Sequence, residues 1–228
     1  MTSRLDSTTH TYYLNDQPMR YSVTQLISKL FPPFPAQSIA ERVAAKRGIP
    51  REAVLAEWRD TASKGTELHE DIHHYLNGIQ ISNVSSPFQS FLYFLDDHQH
   101  WDMIRTEMVI TNATIIPGGL AGSIDAWFRD RDGDNHLVDW KRTTKDLEGL
   151  SSNKKALSPV SHLPDSNFSK YSLQLNLYKR LLFLSHGVQI HHMWIVQLNP
   201  LSPTYKKIKV PDLGHEMDLI VQSHESEL

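Results

Sequence analysis

The chain contains no cysteine among its 228 residues. This absence excludes disulfide bonds, thiolate zinc sites and cysteine-ligated iron–sulfur clusters, and it leaves the redox compartment undecided. No stretch approaches the roughly 20 consecutive apolar residues that a transmembrane helix needs. The first ten residues, MTSRLDSTTH, also lack the apolar run of a signal peptide. We therefore expect an intracellular protein, cytoplasmic or nuclear, that does not contact a membrane.

The chain also has little net charge, formally −3 at pH 7. This value argues against a protein that coats nucleic acid through its overall positive charge. It does not exclude an enzyme whose basic groups line one groove, because the local field matters more than the total. The length suits one medium-sized domain with a buried core. We therefore predict that residues 1–228 form a single domain.

The spacing of apolar residues changes near residue 100. Before this point, helical spacing predicts helices over residues 36–46, 51–76 and 87–98, with Gly65 interrupting the second. After it, alternation predicts strands over 104–110, 122–128, 136–141, 191–198 and 204–210, with helices at 168–185 and from 213. A small hairpin is expected around Asn15-Asp16, followed by a short helix capped by Ser22 or Thr24. The order predicts an α/β fold: a helical part over about residues 22–100, then a mixed sheet flanked by helices over about 104–210.

Residues 143–168 form a long polar connection that is rich in lysine, serine and proline. A connection of this length is uncommon inside a compact domain unless it has a function. We interpret it as a lid or a substrate-contact loop. Lys154 and Lys155 are candidates for phosphate contacts, and a solvated loop is the equal alternative.

Two acidic residues lie on the predicted strands that flank Gly133. A two-residue turn would place Asp125 opposite Trp140, with Asp139 on the other face of the sheet. A three-residue loop with Gly133 in the left-handed conformation would place Asp125 opposite Asp139, with Cβ atoms about 5 Å apart. The sequence leaves both alternatives open.

Lys141 follows Asp139 by two positions, so the two side chains point to the same face of a strand. Carboxylates bind hard divalent cations such as Mg²⁺, and a bound ion can polarise a phosphodiester and activate water. An ammonium group can stabilise the charge that develops in the transition state. The alternative is a surface salt bridge between Asp139 and Lys141, because the triplet is a weak motif by itself.

Further polar residues support the first interpretation. Gln174 and Tyr178 lie four positions apart, on one face of a predicted helix. His69 shares a helix face with Gly65, and Glu107 lies in the strand before Asp125. Each has a structural alternative: His69 can be a packing histidine, and Tyr178 can be an ordinary core tyrosine.

Four motifs therefore occur in order: Gly-x-x-x-His ending at His69, Gly-x-Ile-Asp at Asp125, Val-Asp-x-Lys at Lys141 and Gln-x-x-x-Tyr at Tyr178. Each is weak alone, but the ordered set resembles the RecB-like branch of the PD-(D/E)XK nuclease superfamily, over about residues 58–178. The pattern is similar to nuclease-like proteins of large DNA viruses and phages, and more distantly to mitochondrial genome-maintenance exonuclease. The resemblance implies a restriction-endonuclease-like core with a central mixed sheet.

The resemblance also implies roles for individual residues. Asp125 and Asp139 would be catalytic metal ligands, joined by the Trp140 carbonyl and His69, and Lys141 would be the catalytic lysine. The remaining candidates are an additional acidic ligand and a set of nucleic-acid contacts. The acidic candidate is Glu107, and the nucleic-acid contacts are Gln174, Tyr178, Arg142, Lys154 and Lys155.

Two features depart from the family pattern. Asp139 stands where many relatives have glutamate, and the chain lacks the cysteines of the iron–sulfur subgroup, which is therefore excluded. The resemblance implies hydrolysis of DNA with one or two Mg²⁺ or Mn²⁺ ions, with exonuclease action on single-stranded or free ends favoured. Replication or recombination proteins would be partners. Four alternatives stay open: a structure-specific endonuclease, an RNA nuclease, an inactive nucleic-acid-binding module, and a structural protein in which these charges merely pair.

Overall fold

The computed structural model describes residues 2–6, 8–9, 11–148 and 153–225. The strands are β1 (Ser3–Asp6), β2 (Thr11–Leu14), β3 (Gln17–Pro18), β4 (Tyr21–Ser22), β5 (Asp102–Asn112), β6 (Leu120–Arg129), β7 (Asn135–Lys141), β8 (His192–Leu198) and β9 (Tyr205–Lys209). The helices are α1 (Val23–Lys29), α2 (Ala36–Arg47), α3 (Arg51–Leu76), α4 (Ser86–Asp97), α5 (Asn167–His186) and α6 (Gly214–Glu225). Among the helices of these ranges, none has the length and apolar character that spanning a bilayer requires.

A mixed six-stranded sheet forms the centre of the fold. Strand β6 pairs antiparallel with β5 and β7, and its first residues pair parallel with β4. Strand β7 runs parallel to β8, which pairs antiparallel with β9. Helices cover both faces of this sheet, so the predicted α/β fold with a central mixed sheet flanked by helices is confirmed.

The two faces of β6 and β7 belong to different parts of the core. Trp127 and Leu137, which pair across the two strands, pack into a cluster with Leu173 and Leu177 of α5. Alternate residues of the same strands pack with α3 and α4, in a second cluster whose centre is Trp140. Strands that are buried on both faces read as nearly continuous apolar runs. An acidic residue in such a strand is therefore exceptional.

Helix α3 runs without interruption through Gly65, so the predicted interruption there is wrong. A single glycine costs a helix only about 1 kcal/mol relative to alanine, and the surrounding residues favour the helix. At the N-terminus, Ser22 is the cap of α1, with Gln25 completing a capping box. The predicted hairpin forms around Asn15-Asp16, but β1 adds a third strand that the sequence did not indicate.

The segment between β7 and α5 is packed more closely than a free lid. Leu147, Ala156 and Val160 are buried in the core, and the Leu157 N–H donates to the carbonyl of Leu30 over 2.7 Å. Buried apolar contacts hold the described parts of residues 143–168 in place, so they do not form a free lid. Contact of this segment with a substrate stays a prediction. Residues 149–152 of this segment lie outside the described residues.

Candidate active site

The pairing of β6 with β7 decides between the two turn alternatives. Ala126 pairs with Val138, and this register places Asp125 opposite Asp139. Gly133 has φ +86°, the left-handed conformation that the three-residue loop requires. The second alternative of the sequence is therefore the one that forms, and both carboxylates lie on the same face of the sheet.

Asp139 is surrounded by polar side chains of its own strand and of α5. Its Oδ2 atom lies 2.7 Å from the Lys141 Nζ atom, and its Oδ1 atom accepts a hydrogen bond from Gln174 Nε2 over 3.3 Å. The same Gln174 amide donates to the Tyr178 hydroxyl over 3.3 Å. The predicted helix face of Gln174 and Tyr178 is therefore directed at this carboxylate.

The Asp139–Lys141 pair is buried: the exposed fractions of the side chains are 2% and 17%. The alternative of a surface salt bridge is therefore wrong. Burial raises the pKa of Asp139 to about 6, although the adjacent Lys141 ammonium opposes this rise. Burial also acts to lower the pKa of Lys141, but attraction to Asp139 and Asp125 outweighs it and holds this pKa above its ordinary value. Lys141 therefore keeps its positive charge at neutral pH.

A second cluster lies next to this pair and contains groups that can hold a metal ion. His69, Glu107 and Asp125 each offer a ligand atom, and these atoms lie within 4.8 Å of one another. His69 Nδ1 is 3.4 Å from Asp125 Oδ2, and its Nε2–H donates to the Trp140 carbonyl over 2.8 Å. One imidazole and two carboxylates form a donor set that can hold a metal ion. The residues present therefore fit a divalent cation.

Glu107 has an unusual backbone conformation, with φ +46°. Its neighbours pair with Ala126 and Ile124, so Glu107 lies opposite Asp125 in β6. A left-handed non-glycine residue costs of order 1 kcal/mol and persists only where its surroundings enforce it. Ser123 Oγ lies 2.9 Å from Glu107 Oε2 and donates to it. The surrounding strand thus holds this carboxylate at the cluster, where the resemblance places Glu107 as an additional acidic ligand, although no sequence pattern indicated its left-handed backbone.

The His69 side chain leads to a prediction about pH. Burial lowers the pKa of His69, but Asp125 and Glu107 outweigh this effect and raise the pKa to about 9 in the metal-free protein. A histidine must lose its proton to become a metal ligand. Binding of Mn²⁺ at pH 7.5 is therefore expected to release about one proton per ion, and less as the pH rises through 9. Calorimetric titration in buffers of different ionisation enthalpy measures this release.

His69→Gln should remove the proton release, because its amide carries no titratable proton. His74→Gln alters a histidine one turn further along α3 and serves as the matched control. Binding of Mn²⁺ to the wild type without proton release would contradict the assignment of His69 as a ligand.

The sequence did not single out Tyr171, nor the packing contact of the motif residue Gly122. Lys141 Nζ lies 4.7 Å from the centroid of the Tyr171 ring, which covers the ammonium group. Gly122 packs against Tyr178: a Cβ atom added at Gly122 would lie 2.5 Å from Tyr178 Cε1. Tyr171 precedes Gln174 by one helical turn, so the spacing could have identified it. Gly122 opens the Gly-x-Ile-Asp motif, but its contact with Tyr178 depends on tertiary packing and could not be predicted from the motif.

The basic candidates lie in two places. Arg142 follows Lys141 and is half-buried at the edge of a groove. Lys154 and Lys155 are exposed, and Lys155 Nζ donates to the His162 carbonyl over 3.2 Å. Their contact with DNA stays a prediction.

No family model and no curated protein matches the chain. Among solved structures, the crystal structure of SSO0001 has a TM-score of 0.42 and 15% identity, covering 91% of this chain and 75% of that one. A candidate exonuclease from Eubacterium rectale has a TM-score of 0.44 and 12% identity, covering 72% of this chain and 68% of that one. Since neither similarity is close enough to assign an activity, the function must be inferred from the geometry of the site.

Proposed function

We propose that the chain is a metal-dependent nuclease that hydrolyses phosphodiester bonds of DNA. The observation that carries this proposal is that two clusters of polar residues, on α3, β5, β6 and β7, adjoin one another. A metal-binding group of His69, Glu107 and Asp125 adjoins a buried Asp139–Lys141 pair. Buried ion pairs contribute little to stability, since desolvation offsets their attraction. Their presence inside a strand pair that is otherwise apolar therefore favours a catalytic role.

The cluster residues would hold one or two Mg²⁺ or Mn²⁺ ions, with Asp139 and the Trp140 carbonyl beside them. A divalent cation bound there supplies charge neutralisation at the phosphate and lowers the pKa of a coordinated water. Lys141 contributes a permanent positive charge, because Asp139 and Asp125 keep its ammonium protonated. This ammonium can orient water or stabilise charge on a phosphate oxygen.

The α5 residues act by holding Asp139. Gln174 donates to one carboxylate oxygen and Lys141 contacts the other, so the carboxylate cannot rotate freely. Tyr178 accepts from Gln174 and packs on Gly122. These contacts preorganise the site on rigid elements, as catalysis requires.

The ordered motifs thus converge at one site, which supports membership of the RecB-like branch of the PD-(D/E)XK superfamily as part of this proposal. We extend it to residues 1–228 acting as one nuclease domain. Exonuclease action on single-stranded or free DNA ends is the favoured mode, with replication or recombination proteins as partners.

The test is digestion of end-labelled single- and double-stranded DNA, linear and circular, with Mg²⁺, Mn²⁺ or EDTA. We expect cleavage with either metal and none in EDTA. Asp125→Asn should lower the rate at least about 100-fold, because it removes a charged metal ligand. Asp132→Asn makes the same chemical change on the exposed loop between β6 and β7 and should leave the rate unchanged.

The substrates separate the modes of action. Degradation of linear but not circular DNA indicates an exonuclease, and cleavage of circles indicates an endonuclease. If the folded, metal-loaded protein cleaves no DNA but cleaves RNA, the DNA assignment is wrong. If it cleaves neither, the nuclease proposal is overturned in favour of an inactive binding module.

A further inference from the structure

A groove with a volume of about 940 Å³ lies beside the proposed active site. Its lining includes Phe34, Trp58, Lys64, Arg142, Lys145 and Leu201. Arg142 directly follows Lys141, and α3 carries both Trp58 on the groove and His69 at the metal-binding cluster. The groove therefore adjoins α3, which carries His69, and the end of β7, which carries Lys141.

Two aromatic rings form an accessible surface in this groove. The Phe34 side chain is 65% exposed, and its ring centroid lies 5.9 Å from that of Trp58, with the planes tilted by 55°. Trp58 also packs against the small apolar cluster of Ala40, Ala44 and Val54, so α2 and α3 hold it in place. An exposed phenyl group beside a fixed indole is costly in water and provides flat faces for a planar ligand.

The groove also carries positive charge in a chain whose overall charge is negative. Arg142 and Lys145 form no ion pair with any carboxylate among the residues that the structure describes. Lys64 is paired with Asp60 over 2.7 Å, so it contributes less to the local field. Cations beside aromatic faces are the combination that binds single-stranded nucleic acid, in which phosphates contact the cations and bases stack on the rings.

We propose that this groove binds the single-stranded DNA that leads to the active site, with unpaired bases stacking on Phe34 and Trp58. The inference rests on the proposed nuclease function and adds the residues outside the active site that would bind its single-stranded substrate. In a duplex the base faces already stack on one another, so only unpaired bases can stack on these rings.

The position of Trp58 sets the length of DNA that can reach from the active site to the groove. Trp58 precedes His69 by eleven residues on α3, which corresponds to about 16 Å along the helix axis. This distance spans about five nucleotides at the stacked spacing of 3.4 Å. Bases on Phe34 and Trp58 therefore lie several nucleotides from the bond that is cleaved. Oligonucleotides shorter than this distance should gain nothing from the groove.

The experiment compares the wild type with Phe34→Ala in binding a fluorescent twelve-nucleotide oligothymidine, by anisotropy in EDTA, so that no cleavage occurs. We expect Kd to rise about tenfold, the effect of losing one base–aromatic stack. Phe34→Trp should restore binding. Tyr93→Ala is the matched control, since Tyr93 is an aromatic residue of α4 with 54% exposure outside the groove.

An abasic oligonucleotide of the same length identifies the contact as stacking. It loses the stacks on both rings, so it should bind the wild type about 100-fold more weakly than oligothymidine does, and Phe34→Ala should weaken its binding no further. Arg142→Gln should weaken the binding of both oligonucleotides. It should also reduce the salt dependence of binding by an amount equal to about one phosphate contact.

A thymidine p-nitrophenyl phosphodiester is too short to reach the groove, so its cleavage reports the active site alone. Phe34→Ala should cleave it at the wild-type rate. If the reporter and DNA are not cleaved by the wild type, the nuclease proposal fails, and the binding measurements still test the groove. The groove inference is overturned if Phe34→Ala binds oligothymidine normally, or if abasic or duplex DNA binds as tightly as oligothymidine.

Discussion

Lys141→Met is expected to lower the rate of DNA cleavage by about 10²- to 10³-fold. The ammonium of Lys141 is the charged donor beside Asp139, and removal of one such donor from a preorganised site has an effect of this size. Methionine preserves much of the aliphatic volume, so packing against Tyr171 is largely retained. Single-turnover rates at saturating Mg²⁺ measure the chemical step separately from binding. A rate within tenfold of the wild type would contradict the catalytic assignment.

The same substitution has a structural consequence that must be separated from the catalytic one. Removal of one partner leaves the buried Asp139 carboxylate without its counter-charge, which costs about 3–5 kcal/mol of unfolding free energy. The double variant Asp139→Asn/Lys141→Met removes both charges and should recover much of this stability. It should not recover cleavage. A double variant that cleaves DNA would show that Lys141 acts only through the fold.

Gly122→Ala is expected to destabilise the protein and to impair cleavage together. The added methyl group would lie 2.5 Å from Tyr178 Cε1, and Tyr178 is buried with 4% exposure, so its ring has little space to move. Overpacking of this kind costs about 1–3 kcal/mol. Displacement of Tyr178 also disturbs Gln174, which donates to Asp139. Denaturant unfolding measures the first effect, and the digestion assay measures the second.

Gly65→Ala is the matched control for this substitution. Gly65 lies within α3, and a Cβ atom there would meet no heavy atom within 4 Å. Alanine should stabilise the protein by about 0.5–1 kcal/mol, because it lowers the backbone entropy of the unfolded chain. If Gly122→Ala is as stable as the wild type, the Tyr178 ring can move aside. The packing of Tyr178 on Gly122 then does not hold the site.

The elements of the fold were largely predictable from local patterns. The strand over residues 136–141 was predicted from its apolar run, and β7 covers Asn135–Lys141. Helix α5 was predicted over residues 168–185 and extends over Asn167–His186. Such patterns can be recognised because helices and strands each place apolar residues on the core side at a characteristic spacing. The exceptions, Gly65 and the connection after β7, are places where tertiary packing outweighed a local signal.

The residue types at the site, and their order along the chain, follow from the sequence by itself. Asp125, Asp139, Lys141 and His69 were all named from motifs and spacing. A one-residue difference in the loop at Gly133 would have turned Asp139 to the opposite face, because side chains alternate along a strand. The sequence could not decide this, since both turns are compatible with the same residues.

Only the tertiary structure decided which groups share a microenvironment. It placed Glu107 at the cluster through a strained backbone, buried the Asp139–Lys141 pair, and brought Phe34 against Trp58 beside the site. These results depend on contacts between residues that are far apart in the chain, and burial changes both the strength of a charge interaction and the pKa of a group. Sequence determined the chemical groups of this protein, whereas packing determined their distances and their dielectric surroundings.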